Sequence, residues 1–209
     1  AEKIIVVDDF SDDDTFKIVK DIPNVISVKH DNNLGYGANQ KTCYDLALKE
    51  GADIIAMLHP DYQYDPKLLP YMTGLIKDGL YDVVLGTRIT SRKDCLDGGM
   101  PLYKYVMNRL LTIIQNLLSG KNLSEWHTGY RCYSRKVLDN IDYNSNPNDY
   151  LFDSKMLYQI YSNNFTIGEI SVPTRYNQNS SSINFINGIK YSLGTLYFAV
   201  KYLLFKNVY

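Results

Sequence analysis

Cysteine is scarce: Cys43, Cys95 and Cys132 are the only three in 209 residues. They stand far apart, are odd in number and form no CxxC pair, so neither a disulfide framework nor a cysteine-based zinc site is indicated, and a reducing compartment fits best. A surplus of one charge is also lacking. Twenty-two basic against 23 acidic residues leave a net charge of -1, so there is no overall cationic field to hold a nucleic acid. Long apolar runs are missing too. The longest, Tyr191 to Phe205, contains Lys201 and is short for a membrane span, and no signal-peptide pattern opens the chain. What is present is an ordinary globular balance, 45% hydrophobic and 22% charged. A chain of this length is expected to form one domain, residues 1–209, burying roughly 70% of its unfolded surface. The 19 tyrosines fit compositional bias, although those near the C-terminus also suit a membrane interface.

Short β-rich apolar runs alternate with segments of helical period, which predicts an α/β fold with a largely parallel sheet flanked by helices. Strands are expected at Lys3 to Val7, Asn24 to Lys29, Ile54 to Leu58, Asp82 to Gly86, Gly129 to Ser134 and Thr166 to Val172. Helices are expected at Asp13 to Val19, at Ala38 to Glu50 with Gly51 closing it, from Asp65-Pro66 toward Lys77, and from Leu151 to Ser162. Arg88 to Gly99 reads as a polar loop. Leu102 to Leu118 carries Leu102, Val106, Leu110, Ile113, Ile114 and Leu117 at helical spacing, which predicts one buried face. A C-terminal amphipathic helix, residues 184–209, places Ile189, Leu193, Leu196, Tyr197, Val200, Leu203 and Leu204 beside Lys190, Lys201 and Lys206. That pattern suits a core or homodimer face, or a bilayer interface.

Three constellations bear chemistry. The first strand ends in Asp8-Asp9 and runs on through Ser11-Asp12-Asp13-Asp14, carboxylates at the end of a strand where α/β folds bind ligands. They can accept from ribose or base groups or hold a cation, while Asp12 or Asp13 can simply cap the next helix. The segment Asn32-Asn33-Leu34-Gly35-Tyr36-Gly37-Ala38-Asn39 enters a helix through glycines, offering N–H groups to a phosphate or sugar, or serving as a plain turn. Then comes His59-Pro60-Asp61-Tyr62-Gln63-Tyr64-Asp65-Pro66. In extended backbone His59, Asp61 and Gln63 would point one way and could share a divalent metal, Mn²⁺ or Mg²⁺, the imidazole favouring Mn²⁺. Trp126 and His127 could stack on a sugar or shape an acceptor pocket, or serve simply as a buried aromatic and a hydrogen-bonded histidine.

Taken in order, VVDDFSDDDT, NLGYGAN, HPDYQYDP, GTR (Gly86 to Arg88) and HTGYR (His127 to Arg131) resemble family 2 glycosyltransferases of GT-A fold, over almost the whole chain. The resemblance is greatest to the branch containing dolichol-phosphate mannose synthase and related polyprenyl-phosphate transferases. It implies a doubly wound α/β sheet, here lacking the family's first βα unit, so that the strands either side of the missing one are expected to lack a ladder partner. It implies a nucleoside diphosphate sugar as donor, contacted by Asp8, Asp9, Gly35, Gly37, Asn39 and Asp61, and a metal held by His59, Asp61 and Gln63, with His59 where the family has Asp. Arg88 matches a basic residue near the donor diphosphate, and Arg131 and Arg175 would line the same cleft. Lys104 and Asn108, sharing a helix face, match positions that hold an acceptor phosphate; His127 joins them on the acceptor side. Phe152-Asp153-Ser154-Lys155 falls where relatives carry an FDTE-like run, so Asp153 is the candidate base and Lys155 replaces the family's Glu.

The implied reaction is an inverting transfer of a sugar to a polyprenyl phosphate or another membrane-proximal or glycan acceptor. It implies a cytoplasmic enzyme with room for peripheral contact at the inner face of the membrane. Two other readings compete: a non-catalytic member that binds a nucleotide sugar or a partner, suggested by His59 and Lys155, and a receiver-like signalling domain with Asp61 as phospho-acceptor. The latter leaves Gln63 and the second half of the chain without a role.

Overall fold

The computed structural model describes residues 3–89, 91–173, 175–176 and 185–208. Two ladders carry the architecture. In the first, β1 (Ile4–Asp8) lies parallel to β2 (Val25–Lys29), bridged by the short helix α1 (Thr15–Val19). In the second the order is β3 (Ile54–Met57), β5 (Arg131–Ser134), β4 (Val83–Thr87), β6 (Ile167–Ser171). Among the described residues no ladder joins β1 to β3.

The pairing is mixed rather than largely parallel. β4 and β6 run together, but β5 opposes both of its neighbours. After β4 the chain passes through α4 (Arg92–Asp97) and α5 (Leu102–Ser119), then crosses the carboxyl end of β4. There Gly86 N–H donates to Tyr130 O and Thr128 Oγ1 donates to Gly86 O, so β5 starts beside the place where β4 ends and must run backward.

α2 (Tyr36–Lys49) begins two residues earlier than the apolar pattern suggested, because Gly35 at φ +97° supplies the break that starts it. Gly51, at φ +79°, closes its far end as expected. Asp65 caps a short 3₁₀ turn (Pro66–Leu68), accepting from Lys67 N–H at 3.0 Å, and the turn leads into α3 (Leu69–Lys77). The segment expected as a polar loop holds α4, because Ser91 Oγ accepts from Asp94 N–H and caps it. α6 (Arg135–Asn140) and α7 (Leu151–Ser162) follow β5, and α8 (Phe185–Phe205) comes last.

The core lies between the four-stranded sheet, α2, α7 and α8, built on Tyr44, Trp126, Tyr133, Phe152, Met156 and Tyr158. α8 presses Phe198, Ala199 and Tyr202 into it, and Gly194 lets the helix approach Leu151 more closely than a Cβ would allow. α5 departs from expectation. Leu102, Val106, Leu110, Ile113 and Leu117 are all exposed, and the side that packs inward is Leu111, Thr112, Gln115 and Ser119. Most of the polar groups there are partnered, Gln115 Nε2 donating to Tyr158 OH and Trp126 Nε1 to Asn116 Oδ1, while Gln115 Oε1 is buried without a hydrogen-bond partner among the described residues.

Candidate active site

Three clusters meet the carboxyl ends of β1, β3 and β4. At β1, Asp8 is buried, its Oδ1 accepting from Ser11 N–H at 2.9 Å and its Oδ2 lying 3.4 Å from Lys29 Nζ. Burial pushes this carboxyl up, but the Ser11 and Lys29 interactions outweigh it and leave the group below its ordinary value. Asp9 accepts from Leu34 N–H and Gly35 N–H, each at 2.9 Å, and faces His30 Nδ1 at 2.7 Å. The amides expected to greet a phosphate are therefore held by the chain's own carboxylate. Gly37 serves packing: a Cβ there would stand 2.3 Å from Pro147 O, and its N–H donates to Asn148 O. Asn39 Nδ2 donates to Val7 O, and its Oδ1 is buried without a hydrogen-bond partner among the described residues.

The second cluster centres on Tyr36. Its hydroxyl donates to Asp153 Oδ2 at 2.7 Å and lies 3.2 Å from His59 Nε2, while its ring stacks on Tyr150. Burial, then the Asp153 charge, raises the phenol well above its usual range. Gln40 donates to the other oxygen of Asp153, and Arg131 Nη1 donates to the Asp153 carbonyl at 3.0 Å. Arg131 does not line an open cleft. It is fully buried, with Nε on Thr128 O and Nη2 on Trp126 O, as a guanidinium taken from water must be.

His59, Asp61 and Gln63 do not share one direction. Strand β3 stops at Met57 and Tyr62 takes φ +60°, so the alternation of an extended chain is broken. Asp61 Oδ1 instead accepts from Gln63 N–H, and His59 packs inward against Gly129 with its Nε2 toward Tyr36. Burial lowers the imidazole pKa. No group of three or more His, Cys, Asp or Glu among the described residues is placed to hold a metal ion. As arranged, the trio does not fit a shared cation; of the three, Asp61 has the only anionic oxygen donor of the kind Mn²⁺ or Mg²⁺ prefers.

The third cluster turns on Glu125, which the sequence did not single out although it stands two residues before HTGYR. Completely buried, it accepts from Arg88 N–H, from Arg88 Nε and Nη2, and from Asn108 Nδ2. Burial pushes this carboxyl up, but Arg88 more than offsets it. Arg88 also donates to His127 O and to Tyr176 OH, so both it and Asn108 are engaged as struts. Lys104, one turn before Asn108, is half-buried and makes no hydrogen bond or ion pair among the described residues; burial, then the neighbouring Arg88, lowers its pKa. His127 Nδ1 lies 2.7 Å from Tyr191 OH, whose oxygen is 3.3 Å from Ser154 Oγ. Tyr191 comes from α8 and was likewise missed, since its hydroxyl reaches the site only once α8 folds back. Burial drives His127 down to about 4, so it is neutral at pH 7, and its Nε2 is buried without a hydrogen-bond partner among the described residues. Arg175 is exposed, its N–H donating to Gln63 O. A cavity of about 460 Å³ lies on the flank of α5, lined by Arg109, Ile113, Asn116 and Asn122 and by Ile89 and Ser124, the chain neighbours of Arg88 and Glu125.

The α/β sheet flanked by helices is the frame of known structures of GT-A fold. Glucosyl-3-phosphoglycerate synthase from Mycobacterium tuberculosis in complex with UDP superposes with a TM-score of 0.68 at 15% identity, covering 95% of this chain and 68% of that one. The same enzyme in complex with Mn²⁺, UDP and glucosyl-3-phosphoglycerate gives 0.66 at 16% identity, covering 96% and 69%. The particular family follows from sequence: the description Glycosyl transferase family 2 matches residues 1–142, and the chain belongs to that family. A UDP-N-acetylglucosamine–dolichyl-phosphate N-acetylglucosaminyltransferase from Methanococcus voltae is 30% identical over 195 residues, 86% of this chain and 77% of the relative. A polyprenol monophosphomannose synthase from Mycolicibacterium smegmatis is 24% identical, over 88% and 70%.

Proposed function

We propose that the protein transfers a hexose from a nucleoside diphosphate sugar to a polyprenyl phosphate, with inversion at the anomeric carbon. The observation that carries the acceptor is Lys104: a half-buried cation beside the Arg88–Glu125 pair with no acidic partner among the described residues. An unpaired, partly desolvated ammonium is costly unless an anion arrives to meet it. Both named relatives are enzymes of dolichyl or polyprenol phosphates, which supports the same class.

In this reading a phosphate oxygen of the acceptor attacks the anomeric carbon, the bond from that carbon to the donor diphosphate breaks, and its electron pair leaves with the nucleoside diphosphate. The attacking oxygen is already anionic, so no base is required. That suits Asp153, both of whose oxygens accept from Tyr36 and Gln40, better than a neutral glycan hydroxyl would. The orphan Oδ1 of Asn39 would accept from the nucleobase or ribose, beside Asp8 and Asp9. Asp61 would hold a divalent cation together with the donor diphosphate. Such a cation neutralises the charge that builds on the leaving group. With a lipid acceptor the reaction would take place at a membrane surface.

Transfer of labelled sugar to a short-chain polyprenyl phosphate tests the proposal. Lys104→Ala should raise the KM for the lipid phosphate by roughly tenfold to a hundredfold, the worth of a charge-assisted contact, with the donor KM nearly unchanged. An unchanged acceptor KM, or no transfer to any prenyl phosphate by the unaltered protein, would overturn it.

A further inference from the structure

Each carboxylate at the end of β1 has a basic partner at the end of β2. The strands run parallel with Asp8 in register with Lys29, and His30 N–H donates to Asp8 O at 2.9 Å, so Asp8-Asp9 stands beside Lys29-His30. The two bases act differently. Lys29 Nζ donates to Ser11 O at 2.8 Å and lies 3.4 Å from Asp8 Oδ2, a point charge next to a buried acid. His30 is held at both ends of its ring. Its Nδ1 lies 2.7 Å from Asp9 Oδ1 and its Nε2 3.0 Å from Thr42 Oγ1, with 9% of the side chain exposed. A carboxylate only accepts, so the Nδ1 position carries the proton. At Nε2 the Thr42 hydroxyl can donate, or can accept while donating to Ala38 O at 3.3 Å, so the bond to Asp9 stands with the ring neutral or charged.

This bond leaves Asp9 little freedom. Besides Nδ1–H, the carboxylate accepts from Leu34 N–H on Oδ1 and from Gly35 N–H on Oδ2. Of the roughly four acceptor positions on a carboxylate, the described residues therefore fill two on Oδ1 and one on Oδ2. One position on Oδ2 stays open, and 17% of the Asp9 side chain is exposed. Leu34 and Gly35 belong to a loop that Asp9 itself ties down. His30 is anchored independently, by its own N–H on β1 and by Thr42 within α2. The imidazole is thus the fixed post from which the open oxygen takes its direction.

We infer that His30 is a positioning residue for the sugar donor: through Nδ1 it turns Asp9 so that the open position on Oδ2 meets an N–H or hydroxyl of the nucleoside. The inference rests on the reading of Asp9 as a nucleoside contact and adds the residue that makes that contact directional. A carboxylate free to rotate would have to be ordered as the donor binds, whereas one already held loses little freedom. His30 touches neither the donor nor the reacting atoms in this account; it acts through Asp9 alone.

Calorimetric titration of UDP, GDP, CDP and dTDP, each with Mn²⁺, first finds the nucleotide that the unaltered protein binds, and the variants are then compared on it. His30→Gln, whose amide reaches toward the Nε2 position, should weaken that nucleotide by roughly tenfold to a hundredfold, the range of a hydrogen bond to a charged group. His30→Asn sets an amide N–H close to where Nδ1 stands and should stay within about threefold of the unaltered protein. Thr42→Val keeps the shape of the helix, removes the hydroxyl that steadies Nε2, and should cost about threefold to tenfold, which keeps the inference testable if His30→Gln folds poorly. In an Asp9→Asn background His30→Gln should change affinity by less than about threefold, because its route to the ligand is gone. A merely structural histidine would weaken binding equally in both backgrounds. Full additivity with Asp9→Asn, or unchanged affinity in His30→Gln and Thr42→Val, overturns the inference and leaves the donor reading in place. An unaltered protein that binds none of the four nucleotides and transfers no sugar overturns the donor reading, and this inference with it.

Discussion

Replacing Glu125 by leucine should unfold the protein far more readily than any change at its surface. The carboxylate is wholly buried and serves as acceptor for the Arg88 main chain, the Arg88 guanidinium and the Asn108 amide. Removing it strands a buried guanidinium, a loss of about 3–5 kcal/mol. For a chain of this size each kcal/mol moves the midpoint by about 2–4 °C, so the expected drop is roughly 6–20 °C. Arg88→Met alone should cost a similar amount by stranding the carboxylate. The double variant should lose only about 1–3 kcal/mol, because the charge pair disappears together while the Arg88 N–H and Asn108 amide stay unmet. Thermal and urea unfolding of the four proteins gives the coupling directly. Additive losses would refute the account of the pair as one strut. A normal midpoint in Arg88→Met, with turnover alone reduced, would return Arg88 to the donor-contact role its motif suggests.

Two further outcomes follow from the site. His127 titrates near 4 when folded and near its ordinary 6.5 when unfolded, so between those values the unfolded chain binds more protons. Stability should therefore fall as pH drops from 6.5 to 4, by about 3 kcal/mol at most, and His127→Gln should flatten that part of a urea-midpoint curve; an unaltered slope would count against it. A nucleoside diphosphate with Mn²⁺, at a hundred times its dissociation constant, should add about 2.7 kcal/mol and raise the midpoint by roughly 5–10 °C. EDTA or Asp61→Ala should remove most of that rise, and an equal rise in the variant would strike Asp61 from the metal site.

Most strands and helices were legible because their signals are local: the apolar run Ile54 to Met57, the Asp65-Pro66 start and the glycine at position 51. The mixed pairing was not, since the direction of β5 depends on how the chain crosses the end of β4. α5 misled for a related reason. Its helical period is real, but period does not say whether an apolar stripe meets a core or faces outward, and here the inner side is the one with Thr112 and Gln115. At the site, the resemblance picked out residues that do gather near the strand ends, Asp8, Asp9, His59 and Asp153 among them. What each one binds depended on partners distant in sequence: Tyr36 for Asp153, Glu125 for Arg88, Tyr191 for His127. The His59-Asp61-Gln63 alternation failed because β3 ends at Met57, before His59, and Tyr62 then takes a positive φ.

The division of the strands into two ladders gives the molecule a seam. A ribbon of two strands is marginal by itself, and β1–β2 hangs from α2, whose Tyr44 and Ala47 are plugged into the main core. Across the seam run a few polar ties, Gly37 N–H to Asn148 O, Tyr36 to Asp153, and Lys41 to Asn146 and Asn148. The β1–β2 side of the site, where the proposed nucleoside would lie, thus forms a less cohesive unit than the β3–β6 side, and amides of β2 should exchange with solvent before those of β4. A donor gripping both sides would act as a clasp, tightening the ribbon onto the sheet as it loads.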